Sequence, residues 1–409
     1  MKHTIINLNI IDSSGINLIK EIQFEQENEI SINSSKDGKL ILLSITTPHQ
    51  NVSYPGMVYV LSKVDDYYIV DGVLDPCDEC TSRFFGINTA IYESEDGYII
   101  VVADTEYKGS DGVSQVGGVF IFKYIPTKKW TCIKTITKLD GSNEYNYKNL
   151  GGCLAFTETG SLILTGDING NSEVFLYETE DFNQFKEYRI AKDVEFKVFG
   201  SVKIVNDVLY LNTRRKNNEK FVSEIYYCDI NTYTPKLEKL IGFMYDDRYV
   251  GIVDFYRYND KLLVVTLNTS GSSTPCLMFD LYTIENNRAY SKDNAILHFK
   301  PSMCASVYSR LCLGFKESDL YISYLSNTDK SKYSSTITKY DISENLRNIN
   351  GGVFKEIHKN NSAVDTKDER LLFYIKMKDL LSVSDDNIFF LDRENDKNDK
   401  CVYRLKSIN

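Results

Sequence analysis

The chain has 409 residues, a formal net charge of −10, 42% hydrophobic and 25% charged residues, a balance that suits a globular protein with a large core. Eight alanines and one tryptophan beside 29 tyrosines argue against a mainly helical fold, and four histidines nearly exclude multi-histidine metal chemistry. The acidic balance also argues against a binder of nucleic-acid backbones.

The opening stretch Met1–Asp12 is broken by asparagines and has no small-residue cleavage site, so it does not read as a secretory signal. No segment approaches the roughly 18 consecutive apolar residues of a membrane span. Synthesis in the cytoplasm is the expectation. Nine cysteines at irregular spacing read as mostly reduced, small apolar residues. Residues 1–17 are expected to form a strand or arm. Ile6, Leu8 and Ile10 share one face of it. Such an arm either adds to a neighbouring subunit's sheet, a route to self-association, or runs along its own chain.

From residue 18 onward the chain repeats itself. Tight turns recur at Asp37-Gly38, Asp96-Gly97, Thr159-Gly160, Asn206-Asp207, Asn259-Asp260, Ser318-Asp319 and Asp386-Asn387. The spacing averages about 58 residues, close to a four-stranded propeller blade with generous loops. A very apolar strand follows each turn, as in Lys39–Ile45, Tyr98–Ala103 and Lys261–Leu267, which marks a strand buried on both faces. An aromatic-rich third strand and a polar fourth strand complete each unit, for example Val119–Phe122 and Phe185–Ile190. The chain ends after the third strand of its seventh unit. The missing strand is expected from Leu18–Phe24 at the other end.

The predicted fold is therefore all-β: a seven-bladed propeller of four-stranded antiparallel blades, closed by an N-terminal strand. The expected blades are 28–71, 84–138, 150–190, 198–241, 249–299, 308–358, and 371–409 plus 18–24. Two sheet-rich domains are the alternative, but no linker or shift in composition marks a boundary.

The second unit carries Phe85-Gly86, then Glu95-Asp96-Gly97, then Gly117-Gly118-Val119-Phe120-Ile121-Phe122. This resembles the FG-GAP repeat of integrin α-subunit-like propellers. Weaker echoes are Leu150-Gly151-Gly152, Phe199-Gly200-Ser201-Val202, Val250-Gly251-Ile252 and Pro55-Gly56-Met57-Val58-Tyr59-Val60. The resemblance implies a propeller and, in many of its members, calcium bound by an Asp-x-Asp-x-Asp-Gly loop between first and second strands. Here those turns are too short, and calcium needs 6–8 oxygen ligands. The nearest substitute is Asp167, Asn169, Asn171 and Glu173, between the second and third strands, where an ordinary Asn/Gly turn is the simpler reading. No metal and no cofactor is expected.

Function is expected on the face that holds the longer connections, including Thr46–Pro55, Asp104–Val116, Arg214–Phe221, Asn268–Pro275, Ser326–Ser334 and Arg393–Lys400. Four unit entrances place a cation three residues before a glycine: Arg83, Lys148, Lys197 and Arg248. They would form a partial positive ring at the channel mouth for an anion or a partner's acidic loop, or else bridge neighbouring units. Tyr54, Tyr107, Tyr145, Tyr147, Tyr245 and Tyr249, with Tyr308 and Tyr333, crowd the same connections and suit either recognition or loop packing. Cys77-Asp78-Glu79-Cys80 lacks a second ligand pair for zinc and reads as a local disulfide or two idle thiols. Catalytic motifs are wanting: no Gly-x-Ser-x-Gly elbow, phosphate loop or histidine triad can be assembled.

The sequence thus predicts a non-enzymatic recognition or assembly module. An adhesion-type propeller with free thiols and no signal fits a virion component such as a phage tail, contacting proteins or a host receptor or glycan. The alternatives are a glycoside hydrolase or lyase, which needs only two converging carboxylates, and an intracellular scaffold.

Overall fold

The computed structural model describes residues 3–11, 17–24, 29–46, 56–74, 84–108, 117–137, 147–168, 171–191, 197–217, 220–232, 235–245, 251–268, 276–298, 312–329, 332–342, 346, 355–360, 381–395 and 401–408. All their regular structure is strand. The chain opens with β1 (His3–Ile11) and β2 (Asn17–Phe24). Blade 1 follows as β3 (Glu29–Ser34), β4 (Leu40–Thr46), β5 (Met57–Val64) and β6 (Tyr67–Leu74). Blade 2 is β7 (Asn88–Ser94), β8 (Gly97–Asp104), β9 (Gly118–Ile125) and β10 (Lys129–Thr137). In blade 3 the first strand is split into β11 (Tyr147–Lys148) and β12 (Leu154–Phe156), both paired with β13 (Leu162–Ile168), before β14 (Asn171–Glu178) and β15 (Lys186–Ala191).

Blade 4 is β16 (Lys197–Val205), β17 (Val208–Asn217), β18 (Lys220–Asp229) and β19 (Glu238–Tyr245). Blade 5 is β20 (Gly251–Tyr258), β21 (Lys261–Asn268), β22 (Cys276–Glu285) and β23 (Arg288–His298). Blade 6 is β24 (Cys312–Lys316), β25 (Asp319–Asp329), β26 (Lys332–Asp341) and β27 (Lys355–Asn360). Blade 7 holds β28 (Leu381–Val383), β29 (Ile388–Asn395) and β30 (Cys401–Ile408).

All pairings within the blades are antiparallel, and the seven tight turns join first to second strands as the sequence predicts. Their residues suit them: Asn206 and Asp207 both take positive φ, as a two-residue hairpin requires, and so do Asn259, Glu317 and Gly38. First strands of neighbouring blades lie side by side around the centre: β3 with β7, β7 with β12, β12 with β16, β16 with β20, β24 with β28, and β28 back with β3. That last pair closes the circle. The closure is also covalently offset: β2 pairs with β30, so residues from the start of the chain complete blade 7. β1 then pairs with β2 as a fifth strand of the same blade.

The second strands explain the core. Along β4, Ile41, Leu43 and Ile45 pack toward blade 7, while Leu40 and Leu42 pack toward blade 2. In β8, Ile99 and Val101 face blade 3 and Ile100 and Val102 face blade 1. β21 and β29 divide in the same way. Alternation across a pleat therefore feeds two joints at once, which is why these runs are apolar without a break. Buried apolar side chains of the described residues fall into seven clusters, one between each pair of adjacent blades. Each large side chain so buried stabilises the ring by about 1.5–3 kcal/mol.

The expected Arg214–Phe221 loop is not a loop. β17 runs on to Asn217 and β18 begins at Lys220, with Arg214 opposite Ser223 and Arg215 opposite Val222. Likewise β25 and β26 run out to Asp329 and Lys332, and β29 to Asn395, so these connections are shorter than the polar sequence suggests. Charged residues tolerate a strand where cross-strand partners satisfy them.

Candidate functional site

Of the four entrance cations, Arg83 and Arg248 lie outside the described residues. Lys148 belongs to β11, opposite Asp167, and Lys197 begins β16, opposite Arg214. Both are thus strand residues and not loop residues. Tyr54, Tyr145, Tyr249 and Tyr308 also fall outside the described residues, as do Cys77 and Cys80. Tyr147 and Tyr333 are placed by their backbone in β11 and β26.

Tyr107 corrects the expectation of a loop surface. It is 5% exposed, and its ring meets Phe120 edge-on at 5.2 Å. Gly118 makes the room: a Cβ there would stand 2.9 Å from the Tyr107 ring. Tyr245 is half-buried, stacked beside Phe243, with its hydroxyl 3.5 Å from Thr266 Oγ1 in blade 5. Both tyrosines work as packing between strands and blades.

The metal candidates also fail on geometry. Asp167 sits opposite Ser172 across β13 and β14, while Glu173 sits opposite Gly166. Neighbours along a strand point to opposite faces, so Asp167 and Glu173 cannot share an ion. Each is otherwise engaged. Asp167 accepts from Ser172 Oγ (2.8 Å) and Asn149 Nδ2 (3.0 Å), and Glu173 pairs with Arg189 at 3.0 Å. Among the described residues no group of three metal-ligating side chains converges. Asn169 lies outside those residues.

Sequence reasoning missed where the acids go. Four stand on strand faces between blades, each in a different cleft. Asp104, fully buried, lies on the blade 1 side of β8 and accepts the Glu106 N–H at 3.1 Å. Glu173 lies between blades 2 and 3. Glu224, 1% exposed, shares the face of β18 that packs on blade 3, where Arg215 (3.2 Å), Lys239 (3.3 Å) and Tyr226 (3.2 Å) surround it. Asp280 in β22 lies toward blade 4, and burial pushes its carboxyl above the ordinary range. Only strand parity could have revealed this, because the acids end or interrupt otherwise apolar runs. Their dispersal separates them by whole strands. Cleavage of a glycoside would need two of them to converge on one bond.

The glycine motifs have a structural task. Phe85 is fully buried between blades 1 and 2, with its ring 5.5 Å from Phe120 and 6.3 Å from Phe122. Gly56 lets the start of β5 lie directly on the Phe85 backbone, and Gly86, at φ +93°, fits against Val58 and Ser44. One blade on, the pattern repeats: Gly117 lies on the backbone of Leu150, and Gly151 (φ +84°) fits against Ala103 and Val119. Asn88 of β7 donates to the Gly151 and Gly152 carbonyls at 2.9 and 3.0 Å. The motif is a blade-to-blade joint.

The outer rim carries a different signal. Nine large apolar side chains of the described residues are exposed, and six of them lie on blades 1 and 2: Val64, Tyr67, Ile69, Val70, Val73 and Tyr124. Between the two blades Asp71 accepts hydrogen bonds from Trp130 Nε1 (3.0 Å) and Ser62 Oγ (3.2 Å), and Tyr124 meets the Trp130 ring edge-on. A fixed polar pin thus lies beneath an apolar rim.

No protein-family profile and no curated protein matches the sequence. Among solved structures, the chain is similar to the Nup133 β-propeller domain of Vanderwaltozyma polyspora, with 10% identity and a TM-score of 0.46 over 95% of this chain and 97% of that one. The WD40 domain of SCAP from fission yeast gives 9% identity and a TM-score of 0.42, covering 99% and 97%. A post-proline cleaving enzyme from Rickettsia typhi gives 10% identity and a TM-score of 0.41 over 96% of this chain, which spans 49% of that enzyme.

Proposed function

We propose that the chain is a non-enzymatic recognition and assembly module that joins protein partners in a larger structure. The observation that carries this reading is the concentration of exposed apolar side chains on the rim of blades 1 and 2. Four of them, Val64, Tyr67, Ile69 and Tyr124, face the joint shared by blades 1 and 2, and apolar surface grouped in this way on a folded domain marks a contact site. Among the described residues, Asp104, Glu173, Glu224 and the half-buried Asp280 stand in four different clefts, which supports the non-enzymatic part.

In its finer form, the reading makes the chain an FG-GAP-like structural component of a virion, such as a phage tail. Its long-connection face would be left for a receptor or glycan. The free thiols Cys132, Cys153, Cys228 and Cys276 suit a chain that folds in a reducing compartment before assembly.

The test is incorporation. Tyr67→Glu with Ile69→Lys should leave the circular dichroism spectrum unchanged and remove the chain from the particle fraction of a density gradient. Unchanged incorporation would refute the rim as the contact. Hydrolysis of chromogenic glycosides by the purified chain, abolished by a single carboxylate-to-amide change, would refute the non-enzymatic reading.

A further inference from the structure

The outermost strands of the blades differ in one respect. β6 carries Asp71, and β10 carries Lys129 and Lys134. β15 and β19 have Lys186, Glu187, Arg189, Glu238 and Lys239. β23 and β27 have Arg288, Lys292, Asp293, Lys355, Glu356 and Lys359. Charges on edge strands prevent edge-to-edge pairing between molecules. β2 would be an ordinary member of this set, with Lys20 and Glu21. β1 covers it and presents a new edge whose sequence, His-Thr-Ile-Ile-Asn-Leu-Asn-Ile-Ile, contains no acid, lysine, arginine or proline.

That sequence is also a palindrome. Residues Ile5, Ile6, Asn7, Leu8, Asn9, Ile10 and Ile11 read the same in both directions about Leu8. An antiparallel pair of two such strands, centred on Leu8, sets Leu8 opposite Leu8, Asn7 opposite Asn9, Ile6 opposite Ile10 and Ile5 opposite Ile11. An isologous two-fold contact sets each residue opposite its mirror position, and here every such pair matches apolar with apolar or amide with amide. β1 pairs regularly with β2 over His3–Asn7 and again at Ile10 and Ile11, with a bulge between them that raises the local twist. The neighbouring rim is compatible. β1 runs close to β6, whose Val70 and Val73 lie opposite Leu61 and Tyr59, on the blade 7 side, and are 38% and 45% exposed.

We infer that two copies of this chain pair through β1, antiparallel about Leu8, to form one continuous ten-stranded sheet from two seventh blades. The inference deepens the assembly reading above and rests on it, with a second copy as the partner.

Sedimentation equilibrium of the purified full-length chain is expected to give a dimer. Leu8→Lys sets two ammonium groups face to face and should raise the dimer dissociation constant by more than about tenfold, since like charges facing across an interface cost several kcal/mol and each 1.4 kcal/mol is a factor of ten. Its circular dichroism spectrum and melting should match the parent. Leu8→Cys supplies a second readout. Residues directly opposite in an antiparallel pair have Cα atoms about 4.5–5.5 Å apart, within disulfide range. Mild oxidation should therefore give a homotypic disulfide at position 8, identified by peptide mapping and far exceeding that formed at position 7 by Asn7→Cys.

A chain that stays monomeric up to its solubility limit overturns the inference and leaves the rim contact of blades 1 and 2 standing. A dimer indifferent to Leu8→Lys, or equal cross-linking at positions 7 and 8, also overturns it.

Discussion

Replacing Gly56 with alanine is the sharpest test of the blade joints. Gly56 has ordinary backbone geometry, so the substitution adds no conformational strain. Its effect is the methyl group alone. That methyl would fall well inside van der Waals contact of the Phe85 carbonyl oxygen, with Phe85 N and C at 3.0 Å. The obstacle is backbone, and it is pinned: Gly86 N–H bonds to the Ala103 carbonyl at 3.0 Å and Ile87 N–H to the Phe84 carbonyl at 2.9 Å. Relief requires blades 1 and 2 to part by about 1 Å, which a close-packed interior resists. Overpacking typically costs about 1–3 kcal/mol, and an immovable neighbour puts this site at the upper end, near 3. An unfolding entropy of about 2.1 cal/mol/K per residue, over this chain length, makes that about 3–4 °C in melting temperature if the ring unfolds as one unit. Gly152→Ala is the control. There the added methyl meets only Asn149 O at 3.2 Å and Thr165 Oγ1 at 3.5 Å, so the loss should stay below about 1 kcal/mol. Equilibrium urea unfolding measures both. A Gly56→Ala loss no larger than that of Gly152→Ala would refute the joint.

Three further outcomes are expected. Burial alone would raise the Asp37 carboxyl, but hydrogen bonds from Tyr98 (2.7 Å), the Lys39 N–H and Ser35 prevail and hold it below the usual range. Its stabilisation is therefore present above the unfolded carboxylate range and is lost as pH falls through the lowered value. Tyr98→Phe should cost about 1 kcal/mol at neutral pH and flatten the loss of stability below about pH 4, and an unchanged acid limb would count against it. Ile22→Pro in β2, between Ile5 of β1 and Tyr403 of β30, should destabilise the ring by about 3 kcal/mol or more, read as a lowered melting temperature. Burial pushes the Cys228 thiol up to about 11 and also raises that of Cys276, so both should escape iodoacetamide at pH 8 in the native chain but not in urea, as mapped by mass spectrometry.

Much of this fold is legible in the sequence, because a propeller announces itself by turn chemistry. Asn206-Asp207 and Asn259-Asp260 fix hairpins wherever they stand, and the unbroken apolar run after each of them allows only a strand buried on both faces. Even the closing strand is legible, because Leu18–Phe24 has the polar alternation of the outer strands, and it pairs with β30. What stays hidden is whatever depends on a partner distant in sequence. Tyr107 reads as a loop aromatic until Gly118 opens the space beneath its neighbour. Arg215 reads as a loop cation until Glu224 draws it into an extended hairpin. The joint role of Gly56 requires knowing that Phe85 arrives on top of it. Strand parity, applied to Asp167 and Glu173, would have separated those two acids from sequence alone.

The pairing of β2 with β30 imposes an order in time. Residues 17–24 leave the ribosome long before their partner at 401–408. At about 5–20 residues per second, some 20–75 s of synthesis separates the two. Until then β2 has only β1 beside it, and an isolated two-stranded hairpin is marginal in water. Six blades can stack behind it during this interval, but the circle cannot lock. A chain truncated before residue 401 would thus remain an open arc with an unfilled strand position at one end. Emergence of β30, and not completion of any single earlier blade, is the step that lets the circle lock.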